Sequence, residues 1–124
     1  MTVPISTETA RHYNWGTACD GWHLLAQTHL SVIQERVPPG QREVEHYHAT
    51  SHQFFYILQG VATIEIGGER IALRGGEGLE VPPGTRHQFR NDSGGEVLFL
   101  VISAPPSHGD RVVTEETSTP GANP

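Results

Sequence analysis

The sequence is poor in several features that define large classes of protein. It has a single cysteine, Cys19, which cannot form a disulfide within the chain or a thiolate metal site by itself. No apolar run approaches the ~20 residues that a membrane-spanning helix needs, so we expect no membrane partner. Lys and Arg number only 8 against 14 Asp and Glu, which gives a net charge of −6. Because nucleic acid requires a basic face, this balance argues against a nucleic-acid partner.

The remaining composition is that of one small folded domain. The chain has 124 residues, of which 35% are hydrophobic and 18% charged, so it is neither a disordered nor a membrane sequence. The first residues, 1–11, are polar and lack the apolar core of a signal peptide. We therefore expect a cytoplasmic protein.

The chain lacks a helical period and instead contains short β-rich runs punctuated by Gly and Pro. About eight or nine strands are expected, a pattern typical of an all-β sandwich or barrel. The clearest turn is Gly67-Gly68, a two-residue hairpin signal. The runs are Trp22–Ala26, Leu30–Val37, Glu43–His48, Gln53–Gln59, Val61–Ile66, Glu69–Leu73, Gly78–Val81, His87–Arg90 and Glu96–Ser103.

The composition predicts three segments. Residues 1–20 are an N-terminal segment and residues 21–104 form the barrel. Residues 105–124 are rich in Pro, Ser, Thr and Gly, and they are expected to be a flexible C-terminal tail. Val112 and Val113 are apolar enough to dock as an arm strand instead.

Histidine is unusually frequent, and its spacing points to a metal. His46 and His48 stand two residues apart, so on a strand both side chains face the same side and can share one cation. A third ligand must come from elsewhere, because one strand face cannot enclose a metal. His87 follows the tight turn Pro82–Gly84 and opens a new strand from which it can project inward.

Two segments of the chain resemble the conserved motifs of the cupin family. The first motif is Gly, five residues, His-x-His, four residues, Glu, six residues, Gly, and here it has Gln where the family has Glu. The second motif is Gly, five residues, Pro-x-Gly, two residues, His, three residues, Asn, and here it is complete. The matching positions are Gly40, His46, His48, Gln53 and Gly60, then Gly76, Pro82, Gly84, His87 and Asn91. The resemblance covers residues 30–102. It implies a double-stranded β-helix, or jelly-roll, barrel that holds one divalent metal ion through His46, His48 and His87.

The fourth ligand has two candidates. Spacing back from Gly60 places Gln53 on the family's acidic position. Imidazole is a better donor than a neutral amide, however, and His52 would form a four-histidine site of a kind known among small cupins. A shift of one residue would turn the following strand over, so only one of the two can face the barrel interior.

An orientation with Gln53 inward has a consequence for assembly. Phe55 and Ile57 then point inward as well, whereas Phe54, Tyr56 and Leu58 point outward. This outward face is too apolar to lie open to water, so we expect it to cover another sheet or a second subunit, in a homodimer.

Three functions fit this reading. The first is a metal-dependent, dioxygenase-like enzyme that uses Fe, Mn or Ni and acts on a small organic molecule chelated through an enolate or catecholate oxygen, with O₂ as co-substrate. The second is a Zn-assisted isomerase, cyclase or lyase, in which the metal polarises a carbonyl. The third is a non-catalytic module that binds a small molecule or a metal. The residues leave open whether the protein is an enzyme at all.

Overall fold

The structure, a computed structural model, describes residues 2–114 as β-strands joined by turns. These residues contain no helix, and therefore none of the length and apolarity needed to cross a membrane. The all-β fold is confirmed. The strands are β1 Arg11–Trp15, β2 Cys19–Ala26, β3 Ser31–Val37, β4 His46–His48, β5 His52–Gln59, β6 Val61–Ile66, β7 Glu69–Arg74, β8 Gly78–Val81, β9 His87–Arg90, β10 Val97–Ala104 and β11 Arg111–Val113.

The strands form two antiparallel sheets that make a jelly-roll barrel. One sheet has six strands in the order β1-β2-β3-β10-β5-β8, and the other has five in the order β11-β4-β9-β6-β7. The sheets enclose the core, as two-sheet β architectures do. Strands distant in the sequence are neighbours, so β4 and β9, the two strands that carry the histidines, lie side by side.

Aromatic rings fill the space between the sheets. Phe89 and Phe99 come from opposite sheets, and their ring centroids lie 4.0 Å apart. Phe55 stacks on both, at 5.9 Å from Phe89 and 6.0 Å from Phe99. All three are almost fully buried, and each contributes roughly 1.5–3 kcal/mol by leaving water. Phe55 also contacts the ring of His87, so the core supports the histidines from below.

Local turn chemistry agrees with the sequence pattern. Gly67 and Gly68 have φ angles of 56° and 82° and join β6 to β7 with Ile66 opposite Glu69. Positive φ at both central positions is what a two-residue hairpin requires, and glycine adopts it without strain. The predicted hairpin is confirmed.

Strand pairing continues on both sides of the segment expected to form the barrel. Strand β1, in the predicted N-terminal segment, pairs with β2 along its whole length. Strand β11, in the predicted tail, pairs with β4, so Val112 and Val113 lie in a docked strand. The boundaries at residues 20 and 104 stay predictions, and the part of the expected tail at 115–124 lies outside the described residues.

Candidate metal centre

Three histidines from two neighbouring strands converge inside the barrel. His46 and His48 lie on the same face of β4, and His87 at the start of β9 is the register partner of His46. Their exposed fractions are 3%, 3% and 1%. One ring nitrogen from each lies within 4.8 Å of those of the other two, close enough to bind a single ion.

Hydrogen bonds orient the three rings. The Nδ1 atoms lie 2.7 Å from the Val44 carbonyl oxygen for His46 and 2.9 Å from that of Thr85 for His87. For His48, Nδ1 lies 2.8 Å from a carboxylate oxygen of Asp110. Carbonyl and carboxylate oxygens only accept, so we assign the hydrogen to Nδ1 in each ring. Each Nε2 then keeps its lone pair for a metal.

Two further observations bear on this assignment of the hydrogen atoms. Nη2 of Arg111 lies 3.3 Å from Nδ1 of His46, but the Val44 oxygen is the closer partner and cannot donate. Nε2 of His87 is buried and has no hydrogen-bond partner within residues 2–114. Buried nitrogens are rarely left unpaired, so an orphaned lone pair here fits a metal ligand.

The structure separates the two candidates for the fourth ligand. Gln53 is 4% exposed, and its Nε2 donates to the Ser103 hydroxyl at 3.0 Å. Its Oε1 is buried and has no hydrogen-bond partner in the part of the chain that the structure describes. Phe55, on the same face of β5, touches His87, so that face looks onto the histidines. An amide oxygen left free at such a place is a potential ligand.

His52 points the other way. Its side chain is 48% exposed, and Nε2 lies 2.5 Å from a carboxylate oxygen of Glu80 on the outer surface. From His52 to Ile57 the pairing of β5 with β10 is regular, so alternation turns His52 out when Gln53 faces in. His52 is thus not among the histidines that converge.

Burial keeps two of the three histidines, His46 and His87, in the uncharged form. Burial, and next the positive charge of Arg111, lower the pKa of His46 to about 3. Burial also lowers the pKa of His87, although the carboxylate of Glu43 opposes this effect. Both rings are therefore neutral at neutral pH, the state that coordinates metal.

Two buried acids are features that sequence reasoning did not find. Glu43 is buried, with 3% of its surface exposed. Residues 42–45 are not a regular strand, so Glu43 and Val44 are both buried, and Glu43 accepts a hydrogen bond from the Phe89 amide at 3.0 Å. Burial raises the pKa of Glu43, against the opposing charges of His87 and Arg111.

Glu35 is fully buried and accepts a 2.6 Å hydrogen bond from the Tyr13 hydroxyl. Its position in the alternating pattern of β3 signals that it faces inward.

A cavity of about 440 Å³ opens beside the inner face of the six-stranded sheet. Ser31 lies in its wall and is the register partner of Ser103, the residue that binds the amide of Gln53. The cavity and Gln53 are thus neighbours on one face of the sheet. Among the described residues, its lining carries a guanidinium and two imidazoles and no carboxylate: Arg11, His23, Ala26, Gln27, Ser31, Ile33, Pro106, Ser107 and His108.

Comparisons with known proteins identify the family of this chain. A family model for the cupin domain matches residues 33–103. The chain belongs to the cupin family. This cupin is 43% identical over 67 residues to "Polyketide synthase CurC" of Streptomyces cyaneus, a match that covers 54% of the chain and 44% of the relative. It is 40% identical over 62 residues to "Quercetin 2,3-dioxygenase" of Bacillus subtilis, a match that covers 50% of the chain and 18% of the relative.

Solved structures show the same fold. The cupin superposes with a TM-score of 0.76 on an uncharacterized conserved protein with a double-stranded beta-helix domain from Klebsiella pneumoniae, at 20% identity. That match covers 93% of this chain and all of the other. The predicted jelly-roll barrel is confirmed. The matched regions span less than half the length of the two sequence relatives named above.

Proposed function

We propose that this cupin is a metal-dependent, dioxygenase-type enzyme that acts on a small organic molecule. The observation that carries the proposal is the convergence of three buried histidines whose Nδ1 atoms are all occupied, leaving Nε2 for one divalent ion. The unpaired Oε1 of Gln53 completes a donor set of three imidazoles and one amide. Nitrogen-rich sets of this kind suit Fe, Mn, Ni or Zn.

A bound Fe, Mn or Ni ion would supply a Lewis-acidic centre with open positions for a chelating substrate and for O₂. The protein's own part is to hold the imidazoles of His46 and His87 neutral by burial and the Gln53 amide in place through Ser103. Because none of the four donors is charged, the site favours a substrate that brings a negative oxygen, such as an enolate or catecholate. In this proposal, Arg11 and His23 of the cavity beside Gln53 bind further acidic oxygens of the same molecule.

The named relatives support this class of substrate. One is named a quercetin dioxygenase and another a polyketide synthase protein. Each of these proteins is longer than the region that matches this chain. A small oxygen-rich aromatic or 1,3-dicarbonyl compound is the substrate class that we infer.

A second candidate is a redox-neutral cyclase, isomerase or lyase that uses zinc. The observation that favours it is Gln53 itself, since a neutral ligand in place of Glu leaves the metal its full charge to polarise a carbonyl. A non-catalytic binding cupin is the third possibility, and the following experiment separates it from both enzymes.

The test starts from protein purified without added metal. Elemental analysis should find a divalent transition metal, iron favouring the dioxygenase and zinc the Lewis-acid enzyme. Metal-loaded protein should then consume O₂ with a flavonol, a catechol or a 1,3-diketone, and His52→Ala should match the parent while His87→Ala is inactive. Product formation without O₂ uptake would replace the proposal by the second candidate. Ligand binding without turnover for any loaded metal would leave the binding module.

We also propose a homodimer formed through the outer face of the six-stranded sheet. Phe54, Tyr56 and Leu58 are 40%, 36% and 43% exposed. Leu100 and Ile102 of β10 stand opposite Tyr56 and Phe54 in register, which makes the apolar surface continuous. Monomeric proteins rarely leave large continuous apolar surfaces open to water. A second copy of the chain is the occupant that we expect.

A further inference from the structure

The segment after the cupin match returns to the metal site. The matched region ends at residue 103, yet β11 pairs with β4 so that Arg111 stands opposite His48 and Val113 opposite His46. Backbone hydrogen bonds extend this pairing at both ends, from the Ala49 amide to the Asp110 carbonyl at 3.1 Å and from the Thr114 amide to the Glu45 carbonyl at 3.0 Å. We refer to residues 105–114 as the C-terminal arm.

One side chain of the arm bonds directly to a candidate ligand. Oδ1 of Asp110 accepts from Nδ1 of His48 at 2.8 Å. Its other oxygen, Oδ2, accepts from the Thr50 amide at 3.0 Å, the Thr50 hydroxyl at 3.0 Å and the Ser51 amide at 2.8 Å. These three bonds hold the carboxylate against the turn before β5 and so keep its other oxygen, Oδ1, directed at His48.

His48 is anchored differently from the other two histidines. His46 and His87 donate to backbone carbonyls that lie two residues away in the chain, so each of these acceptors belongs to the segment that leads into the same strand. His48 donates to a charged group 62 residues away. A carboxylate partner fixes the Nδ1–H tautomer and raises the basicity of Nε2 more than a carbonyl does. The carboxylate that anchors His48 therefore lies on a separate segment, the C-terminal arm. Arg111 of the same arm also approaches His46, with Nη2 3.3 Å from Nδ1, but the closer partner of that ring is the Val44 carbonyl oxygen.

We propose that Asp110 is a positioning residue of the metal centre, and that docking of the C-terminal arm and binding of the metal stabilise each other. The proposal rests on the metal site described under the proposed function. If the docked arm increases metal affinity by holding His48, then by linkage the metal must increase the stability of the docked arm by the same factor. The family model ends at residue 103, before this segment.

The alternative is that Asp110 only ties down the arm and has no effect on the metal. The chain offers a matched control for this case. Asp20 is also a largely buried aspartate bonded to a histidine, with Oδ1 2.7 Å from Nε2 of His12, and it bonds Arg36 and Asn14 as well. Removal of its charge perturbs a sheet hydrogen-bond network of similar size without touching the metal centre.

The experiment compares full-length parent, Asp110→Asn, Asp110→Ala and Asp20→Asn. Affinity for Co²⁺ or Zn²⁺ is measured by competition with a chromophoric chelator. Asp110→Ala should weaken binding by about 10–100-fold, the usual loss for a partner of a metal ligand. Asp110→Asn should lose less, since the amide oxygen still accepts from Nδ1, and Asp20→Asn should stay within about twofold.

Two readouts besides affinity keep the inference testable. In metal-free protein, ¹⁵N NMR should show His48 as the Nδ1–H tautomer in the parent and as a mixture of tautomers in Asp110→Ala. Hydrogen exchange at the Ala49 and Thr114 amides should slow when metal is added to the parent, and slow far less in Asp110→Ala. If Asp110→Ala is too unstable to purify, Asp110→Asn carries both measurements.

Unchanged metal affinity in Asp110→Ala with an unchanged His48 tautomer would overturn the inference. So would a loss in Asp20→Asn equal to that in Asp110→Ala, because the effect would then be one of stability alone. If the parent itself binds no metal, the proposed function fails. The tautomer of metal-free His48 still decides the role of Asp110 in that case.

Discussion

Replacement of Gln53 and of its neighbour His52 by alanine should have opposite consequences for metal binding. The reason lies in the alternation of β5, which leaves Gln53 4% exposed while the His52 side chain is 48% exposed and paired with Glu80. The Nε2 atom of Gln53 donates to Ser103, and its Oε1 atom has no hydrogen-bond partner among the described residues, which leaves that oxygen free to bind a metal. Gln53→Ala removes one of four expected protein ligands, whereas His52→Ala removes only a surface ion pair.

The expected sizes follow from these environments. Gln53→Ala should weaken metal binding at least tenfold, which corresponds to about 1.4 kcal/mol. His52→Ala should change it less than about twofold, because exposed ion pairs contribute at most ~1 kcal/mol and this one does not face the metal. Gln53→Glu should tighten binding, since it places a negative charge against the ion. Without metal the same variant should be less stable than the parent by about 1–3 kcal/mol or more, because a carboxylate would be buried with only the Ser103 hydroxyl as partner.

Competition titrations with Co²⁺ measure the affinities, and urea denaturation with and without metal measures the stabilities. Gln53→Glu should gain more stability from added metal than the parent does. A greater loss in His52→Ala than in Gln53→Ala would refute the assignment of Gln53. Equal small losses in both would mean that neither binds, which would leave three histidines as the whole set of protein ligands.

Two further predictions concern pH and assembly. Metal-free protein should lose stability as the pH falls from about 6.5 toward 3, because burial and then the charge of Arg111 lower the pKa of folded His46 to about 3, while the unfolded chain takes up a proton near 6.5. The urea midpoint of the parent should be lower at about pH 5 than at about pH 7, and this difference should be smaller in His46→Gln. An equal difference in both proteins would contradict the role given to His46. Sedimentation equilibrium should give twice the chain mass of 13.6 kDa, and Tyr56→Arg should give the single-chain mass. A parent that sediments at 13.6 kDa at tens of micromolar contradicts the homodimer.

Patterns local in the sequence predicted much of this structure. Alternation in β5 placed Phe55 and Ile57 inside and Tyr56 outside, as observed. The pair Gly67-Gly68 marked its hairpin because two positive φ angles in succession are a local requirement that glycine meets. The spacing of His46 and His48 likewise reports directly on one strand face.

What the sequence did not reveal depends on contacts between distant segments. Strand β1 is short and mostly exposed, so it shows little apolar alternation, and its pairing with β2 is what makes it a strand. For β11 the sequence offered a docked strand as the alternative to a flexible tail, and the pairing with β4 decides between them for residues 111–113. The bond from His48 to Asp110 spans 62 residues and exists only because β11 docks. The burial of Glu43 does not follow from strand alternation, because residues 42–45 are not a regular strand.

The most direct test of the central claim is the metal content of the purified chain and of two variants after dialysis. The parent should retain about one divalent transition-metal ion per chain. His46→Ala and His87→Ala should each lose it, because each removes one of the three converging imidazoles. His52→Ala, changed on the outer surface, should retain the ion like the parent. Full retention in both His46→Ala and His87→Ala would contradict the account, since the metal would then be bound elsewhere.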